Sequence, residues 1–324
     1  MRIGMCSIQR NRGPWIREWV LFHYLMGVRY FYIGIHKTAD NSAEVLEELS
    51  KYINIKNFSV SDTSFFAPQQ DFYQHTLDRF QHEVDWMAVI DGDEFLFPVK
   101  ADTLQDALQN FSHKKYSALG VYWRCFGSSG HIKEPQGLIL ENFKLRAPDD
   151  FPPNRHIKSL VHTQCAWGTL TLGTHHFETP FGTYDELVRA VTGGLSEHET
   201  SSVHLRINHY VCQSRDYFLN FKRPQGSADR NTTREEHLRS EAWWEDHDRN
   251  DVRCDAIDRF IPGLKDLDLA FLRGEVGEAR ARDVPMPIIR RISFVKEIML
   301  KLHRKPRSSL SRLLGLAAKR VHLN

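Results

Sequence analysis

Short apolar runs alternate with amphipathic segments along the first hundred residues of the chain. A short run with apolar residues at nearly every position indicates a buried strand, and apolar residues at three- and four-residue intervals indicate a helix. On this basis we expect strands at 2–7, 28–35, 53–60 and 86–90, and helices at 15–26, 43–51 and 69–82. The alternation predicts an α/β fold whose sheet is largely parallel in this part.

Beyond residue 102 strands and loops become more frequent. We expect Asp102 to cap a short helix that ends near Phe111. The remaining expectations are strands at 118–126, 137–146 and 157–172, a strand-like segment at 203–207, and helices at 183–191, 215–221 and 233–247.

The C-terminal segment differs in charge from the rest of the chain. The 324 residues carry a formal net charge of +2, but residues 286–324 hold ten Lys or Arg against one acid. The part before them is therefore mildly acidic, and its 20 Phe and 7 Trp are typical of a packed globular protein. We predict a folded domain at 1–262 and a basic helical segment at 263–324.

Apolar residues recur at helical spacing among the cations of this basic segment, between Ile288 and Leu302 and again between Leu310 and Leu316. A cation-rich amphipathic helix is typical of a segment that lies on an anionic membrane surface. It is equally typical of a solvated helix that packs on its own domain, and both interpretations stay open. The cations have no companion nucleic-acid-binding motif, so we expect no nucleic-acid partner.

The five cysteines are scattered and form no Cys-x-x-Cys pair, which favours reduced thiols over a disulfide framework. The N-terminus has no apolar segment and cleavage site of the signal-peptide kind. No window of about 18 consecutive apolar residues suggests a membrane span. We therefore expect a cytoplasmic protein, peripheral on the inner face of the cell membrane if its basic tail binds lipid.

Asp91-Gly92-Asp93 follows the apolar run at 86–90 directly. Carboxylates at the C-terminal end of a buried strand lie where open α/β sheets bind their ligands. A divalent cation held by such a pair can neutralise a departing diphosphate, and Gly92 has no side chain to obstruct its approach. An isolated Asp-x-Asp is common in turns, but its position after a buried strand favours a metal site.

Histidines in the second half of the chain are candidates for a further metal ligand. Mg²⁺ and Mn²⁺ prefer oxygen ligands, and Mn²⁺ also accepts imidazole. The candidates are His156, His162, His175, His176, His204 and His209. His209 stands out because it follows the strand-like segment 203–207, whereas a histidine taken alone is more often structural.

Several further segments match a known pattern in the correct order. They are Glu18-Trp19 with His23, Gly27 and Val28; Thr38-Ala39-Asp40; Trp86 with 91–96; Trp123 with 126–131; Lys158-Ser159; 207–210; and Ser214, Phe218, Lys222, Gly226 and Asp229. With these residues the chain resembles glycosyltransferase family 92 and its bacterial relatives, within the family-2-like GT-A superfamily. The matches span roughly residues 3 to 230.

The resemblance implies a GT-A-type α/β fold, a mixed Rossmann-like sheet flanked by helices. It further implies a metal-dependent, inverting transfer of a hexosyl group from a UDP-sugar to a glycan or lipid-linked glycan acceptor, with Mn²⁺ or Mg²⁺. The residues that it assigns to the donor are Asn11, Asp40, Asp91, Asp93 and Lys222. Those that it assigns to the metal are Asp91, Asp93 and His209.

The chain departs from this resemblance after its first strand. Where relatives usually have Lys-Asn-Glu, it has Arg10-Asn11-Arg12, so that a base replaces an acid. His36-Lys37 likewise replaces a more usual Asp-Asn before Thr38-Ala39-Asp40. The first change puts the donor contact of this loop in question and points to a different sugar or nucleotide.

An inverting transfer needs a general base for the acceptor hydroxyl. His131, Glu134 and Asp150 are the candidates, because they flank the Gly/Ser loop at 126–131 that the resemblance assigns to the acceptor. With Asp93 they form the predicted catalytic set.

Two other functions remain open from the sequence. A metal-dependent phosphoesterase could use Asp91, Asp93 and the later histidines, and a carbohydrate-binding protein could keep the fold without catalysis. The motifs specify neither the sugar nor the acceptor, because specificity depends on loop geometry.

Overall fold

A computed structural model describes residues 1–60, 67–111, 117–171, 173–225 and 238–275. Met1–Asp283 form one compact unit. The predicted basic tail from residue 276 onward lies outside the described residues, as do Gly226 and Asp229. The domain boundary at 262/263, the helical structure and membrane contact of the tail, and the cellular location therefore stay predictions. In the described part, no helix combines the length and the apolar character that crossing a membrane requires.

Twelve strands form the sheets in the described part of this unit. In chain order they are β1 (Ile3–Gln9), β2 (Tyr30–His36), β3 (Asn54–Val60), β4 (Trp86–Val89), β5 (Glu94–Pro98), β6 (Ala118–Cys125), β7 (Leu145–Arg146), β8 (Ile157–His162), β9 (Thr183–Asp185), β10 (Ala190–Val191), β11 (Leu205–His209) and β12 (Val252–Arg253).

Within the residues that the structure describes, nine α-helices connect or flank these strands. They are α1 (Gly13–Leu25), α2 (Ser42–Ser50), α3 (Pro68–Phe80), α4 (Leu104–Leu108), α5 (Ile139–Asn142), α6 (Arg215–Tyr217), α7 (Arg223–Gln225), α8 (Glu241–His247) and α9 (Ile261–Leu272). A π-helical turn at Phe218–Lys222 joins α6 to α7.

The main sheet has the order β10-β9-β6-β8-β4-β1-β2-β3. Its β4-β1-β2-β3 part is parallel, whereas β8 runs antiparallel to both β4 and β6. Strand β11 pairs parallel with β6 and antiparallel with β5. It therefore lies between β6 and the strand that directly follows the acidic pair. This mixed sheet, with helices on its faces, confirms the predicted GT-A-type fold class.

The central strands β1 and β4 are covered on both faces, which explains why every residue of β1 is buried and why β4 is apolar throughout. One large core contains the buried faces of α1 and α2, with Trp19 and Phe22 at its centre. A smaller core on the other face packs Tyr73 and Leu77 of α3 against the sheet. Helix α9 packs on the outside of α1, where Arg17 and Asp268 form an ion pair at 2.6 Å.

Several predicted elements differ in the structure. Segment 183–191, predicted as a helix, forms the antiparallel strands β9 and β10, because Asp185 accepts hydrogen bonds from the backbone of Leu187 and Arg189 and closes a tight turn. Segment 137–146, predicted as a strand, holds α5 and only the short β7. The strand predicted at 157–172 ends at His162.

Capping also differs from the prediction. Thr103, rather than Asp102, caps α4, since its hydroxyl accepts a hydrogen bond from the backbone N–H of Asp106 at 3.2 Å. Strand β5 was not anticipated, although it lies directly after the acidic pair.

Candidate functional site

Asp91 lies just beyond β4, at the C-terminal edge of the parallel strands. Its Oδ1 accepts hydrogen bonds from Gln69 Nε2 at 2.8 Å and from the Tyr73 hydroxyl at 3.1 Å, both on α3. Its Oδ2 accepts from Lys158 Nζ at 2.7 Å, on the neighbouring strand β8. Three donors from two elements therefore fix this carboxylate.

Asp93 meets a different set of partners. Its Oδ2 forms an ion pair with Lys222, at the end of the π-helical turn, and its Oδ1 lies 3.6 Å from His209 Nε2. The backbone C=O of Asp93 accepts from the N–H of Tyr210 at 2.9 Å, and Glu94 pairs with His209 in the β5–β11 ladder. Backbone pairing thus holds His209 beside the acidic pair, as the sequence predicts.

The two lysines keep both aspartates charged. Burial opposes ionisation, but Lys222 and His209 outweigh it and hold the pKa of Asp93 well below its usual range. Burial likewise opposes ionisation of Asp91, and Lys158 outweighs it and lowers its pKa. Lys158 is fully buried, and its neighbouring carboxylates raise its pKa against the effect of burial.

Three buried groups bring metal-ligating atoms together among the described residues. Asp93, Glu94 and His209 each offer one such atom, and these atoms lie within 4.8 Å of one another. Glu94 Oε1 is buried without a hydrogen-bond partner, and the 3.6 Å between Asp93 and His209 is too long for a hydrogen bond. Carboxylate oxygens with one imidazole suit Mn²⁺, so these residues fit such an ion. Asp91 does not belong to this group.

Two cavities adjoin the acidic pair and share it with Gln69, Lys222 and Arg239. The larger, about 240 Å³, has aromatic and imidazole walls formed by Trp123, His156, His175, His209, Trp243 and His247. The smaller, about 140 Å³, has cationic walls formed by Arg10, Arg12, Lys222 and Arg239, with Asp91 and Asp93 as its acids.

Three imidazoles of the larger cavity are neutral rings in a defined tautomer. Nδ1 of His156, His175 and His247 each lies within 3.2 Å of a backbone carbonyl oxygen, so it carries the proton and Nε2 keeps its lone pair. Burial lowers the pKa of all three, that of His175 to about 3.

The structure does not bring the predicted base candidates to these cavities. Glu134 is held by Trp15, Gln213 and Ser214, and His131 Nε2 lies 3.1 Å from the carbonyl oxygen of Asn142. Asp150 is exposed. None of the three lines either cavity, so the geometry does not support their predicted role as base.

Asn11 and Asp40, which the resemblance assigns to the donor, hydrogen-bond to the backbone of the loops that follow β1 and β2. Asp40 accepts hydrogen bonds from the backbone N–H of Gly13 at 2.7 Å and of Ser42 at 3.0 Å. Asn11 accepts from the N–H of Ala39 at 2.7 Å and has a φ of 49°. Neither side chain lines either of the two cavities described above, whereas Asp91, Asp93 and Lys222 line both.

Sequence reasoning missed several residues of the site, among them Gln69, Tyr73, Arg239, Trp243 and His247. A signal existed for two of them, because Gln69 and Tyr73 stand four residues apart and therefore share one face of the predicted helix. Lys158 was part of the matched pattern but had no assigned role.

Comparison with known proteins decides the family. The profile of glycosyltransferase family 92 matches residues 2–251. The chain belongs to glycosyltransferase family 92. This membership confirms the resemblance to the family that the sequence predicts.

Plant members of family 92 are similar to this chain over part of their length. A family 92 protein of Oryza sativa subsp. japonica is 29% identical over 180 residues, which cover 55% of this chain and 30% of that protein. One from Ricinus communis is 30% identical over 176 residues, covering 53% of this chain and 31% of that protein. The chain thus spans about a third of these curated relatives.

Among solved structures, S. aureus TarS 1-349 is similar, with a TM-score of 0.34 and 14% identity over 51% of this chain and 48% of that one. Its complex with UDP-GlcNAc also has a TM-score of 0.34, with 15% identity over 51% of this chain and 46% of that one.

Proposed function

We propose that this family 92 chain transfers a hexosyl group, with inversion, from a UDP-sugar to a hydroxyl of a glycan or lipid-linked glycan, with help from a divalent metal ion. The observation that carries the proposal is the position of the acidic pair between a cationic and an aromatic cavity. An anionic diphosphate suits the first, and a neutral sugar ring suits the second, because rings of this kind pack on aromatic faces.

The proposed reaction is a single displacement. The acceptor oxygen forms a bond to the anomeric carbon while the bond from that carbon to the diphosphate oxygen breaks, and the electron pair leaves with the diphosphate. The acceptor proton passes to a neutral imidazole of the larger cavity, whose Nε2 is available. Inversion requires no covalent sugar intermediate.

The residues of the acidic pair have different parts in this proposal. Lys222, beside Asp93, balances charge that develops on the leaving diphosphate. Asp93 and His209, with Glu94 behind them, would hold Mn²⁺ or Mg²⁺, which would supply further charge neutralisation. Asp91 holds Gln69, Tyr73 and Lys158 in place at the wall that both cavities share.

Turnover of a UDP-sugar with Mn²⁺ and candidate glycan acceptors tests the proposal. We expect UDP release that depends on the acceptor and that Asp93→Ala abolishes. Arg17→Gln, on the outer side of α1 and away from both cavities, is the control and should retain activity. Full activity in Asp93→Ala would refute the proposed role of this carboxylate.

Two further measurements, hydrolysis of phosphate esters and calorimetry with UDP, separate the two other functions that the sequence leaves open. A phosphoesterase would hydrolyse simple phosphate esters without a nucleotide sugar. A non-catalytic protein would bind UDP in calorimetry and release none from a UDP-sugar.

A further inference from the structure

Arg12 is a buried cation without an ion pair among the described residues. It is 5% exposed, and its Nη1 donates to Gln213 Oε1 at 2.8 Å and to the Tyr217 hydroxyl at 2.9 Å. Its guanidinium lies 4.7 Å from the ring centroid of Trp15. Every one of these partners is uncharged.

A guanidinium in this position keeps its charge, because an arginine side chain does not lose its proton in proteins. Burying an unpaired charge costs free energy, and hydrogen bonds to neutral groups offset only part of that cost. A nearby anion would therefore stabilise the arrangement. The contacts with Gln213, Tyr217 and Trp15 hold the guanidinium in a fixed position, which favours a specific anion site over a mobile surface charge.

The smaller cavity is the place for such an anion. Arg12 lines it together with Arg10, Lys222 and Arg239, against the two carboxylates Asp91 and Asp93. Each carboxylate already has its own lysine, since Lys158 pairs with Asp91 and Lys222 with Asp93. Neither Asp91 nor Asp93 therefore forms an ion pair with Arg12.

We propose that Arg12 binds an oxyanion of a diphosphate directly in the smaller cavity, so that part of the diphosphate affinity persists without any divalent metal. The inference rests on the proposed function, which makes the donor a nucleoside diphosphate sugar. It deepens that function by assigning to the leaving group a second protein cation besides Lys222.

Calorimetric titration with inorganic pyrophosphate in the presence of excess EDTA tests this assignment. We expect the wild-type chain to bind pyrophosphate under these conditions, and more tightly than inorganic phosphate. Arg12→Gln should weaken pyrophosphate binding about tenfold or more, because a charge-assisted hydrogen bond is lost. Arg12→Lys should recover part of the affinity.

Arg17→Gln is the matched control, since it is the same substitution on the outer side of α1 and should leave pyrophosphate binding unchanged. Circular dichroism establishes that each variant is folded. Should Arg12→Gln not fold, Tyr217→Phe removes one of the hydrogen bonds that position the guanidinium and should weaken binding in the same direction. No measurable pyrophosphate binding in EDTA, or equal affinity in the wild type and in folded Arg12 variants, would overturn the inference.

The two proposals fail separately. Sugar transfer that requires Mn²⁺, with no pyrophosphate binding in EDTA, would overturn the role of Arg12 and leave the transferase. Arg12-dependent pyrophosphate binding without any sugar transfer would keep the anion site and overturn the transferase.

Discussion

Lys158 Nζ lies 2.7 Å from Asp91 Oδ2 and 3.6 Å from Glu94 Oε1, and it is fully buried. One ammonium group on β8 is thus the nearest cation to two carboxyl groups that stand on either side of Asp93. Burial raises the pKa of Glu94 well above its usual range, although Lys158 acts in the opposite direction. The stability of the acidic segment therefore depends on this lysine.

Lys158→Met should lower the free energy of unfolding by about 3–5 kcal/mol, because it leaves buried acids without their cation. Urea denaturation at neutral pH measures the change. Lys56→Met is the control, since Lys56 forms a 2.7 Å ion pair with Glu83 in a half-exposed position and should contribute at most about 1 kcal/mol. A loss at position 158 no larger than at position 56 would contradict this account.

Stability should fall in mild acid because of His23. Burial lowers the pKa of His23 to about 3, while an unfolded histidine titrates near pH 6.5. Below pH 6.5 the unfolded chain therefore takes up a proton that the folded chain excludes until about pH 3. Each such histidine costs about 1.4 kcal/mol per pH unit in this window.

His23→Asn removes the titrating imidazole. The asparagine amide can still donate a hydrogen bond to the carbonyl of Trp19, which His23 Nδ1 contacts at 2.8 Å. The variant should be less stable at pH 7 but should lose stability less steeply between pH 6.5 and 4.5, as followed by urea denaturation at several pH values. His82→Asn, on an exposed residue, should keep the wild-type slope. Parallel slopes for His23→Asn and the wild type would refute the assignment.

A side chain at position 92 would collide with the end of the buried Gln9 side chain. A Cβ at position 92 would lie 2.8 Å from both Cδ and Oε1 of the buried Gln9 side chain, which lines the smaller cavity. Gly92→Ala should therefore cost about 1–3 kcal/mol in thermal or urea unfolding. Adding Gln9→Ala should restore part of that loss, and additive effects of the two changes would show that they do not compete for space.

Metal binding at Asp93 and His209 should be visible without any substrate. Millimolar Mn²⁺ should raise the melting temperature of the wild-type chain, since a ligand at a hundredfold excess over its Kd stabilises by about 2.7 kcal/mol. Asp93→Asn and His209→Gln should lose this increase. His176→Gln, which lies outside the ligand group, should keep it, and an increase shared by all three variants would place the metal elsewhere.

The sequence predicted the parts of the molecule that depend on local pattern. The continuous apolar run before Asp91 specified a buried strand, and that strand placed the acidic pair at the ligand-binding edge of the sheet. His209 was predicted from a second strand and its neighbours. Both conclusions needed only the periodicity of side chains and the rule for where parallel sheets bind ligands.

The remaining features depend on contacts between distant segments. Nothing in the local pattern of Lys158 distinguishes its buried ammonium from a surface lysine, because its partner lies on another strand. Nothing in the sequence around Glu134 shows that its carboxylate has partners. In the fold it accepts hydrogen bonds from Ser214 and Trp15. Segment 183–191 has helix-compatible composition, and the turn at Asp185 overrides it.

Strand β11 has a consequence for how the protein is made. Strand β11 inserts between β5 and β6, so the imidazole of His209 joins the acidic pair only after β11 has been synthesised and has paired with these strands. A nascent or truncated chain that stops earlier can assemble the parallel layer but lacks one wall of its pocket. Fragments of this kind should therefore be inert, because the pocket is complete only when β11 is in place.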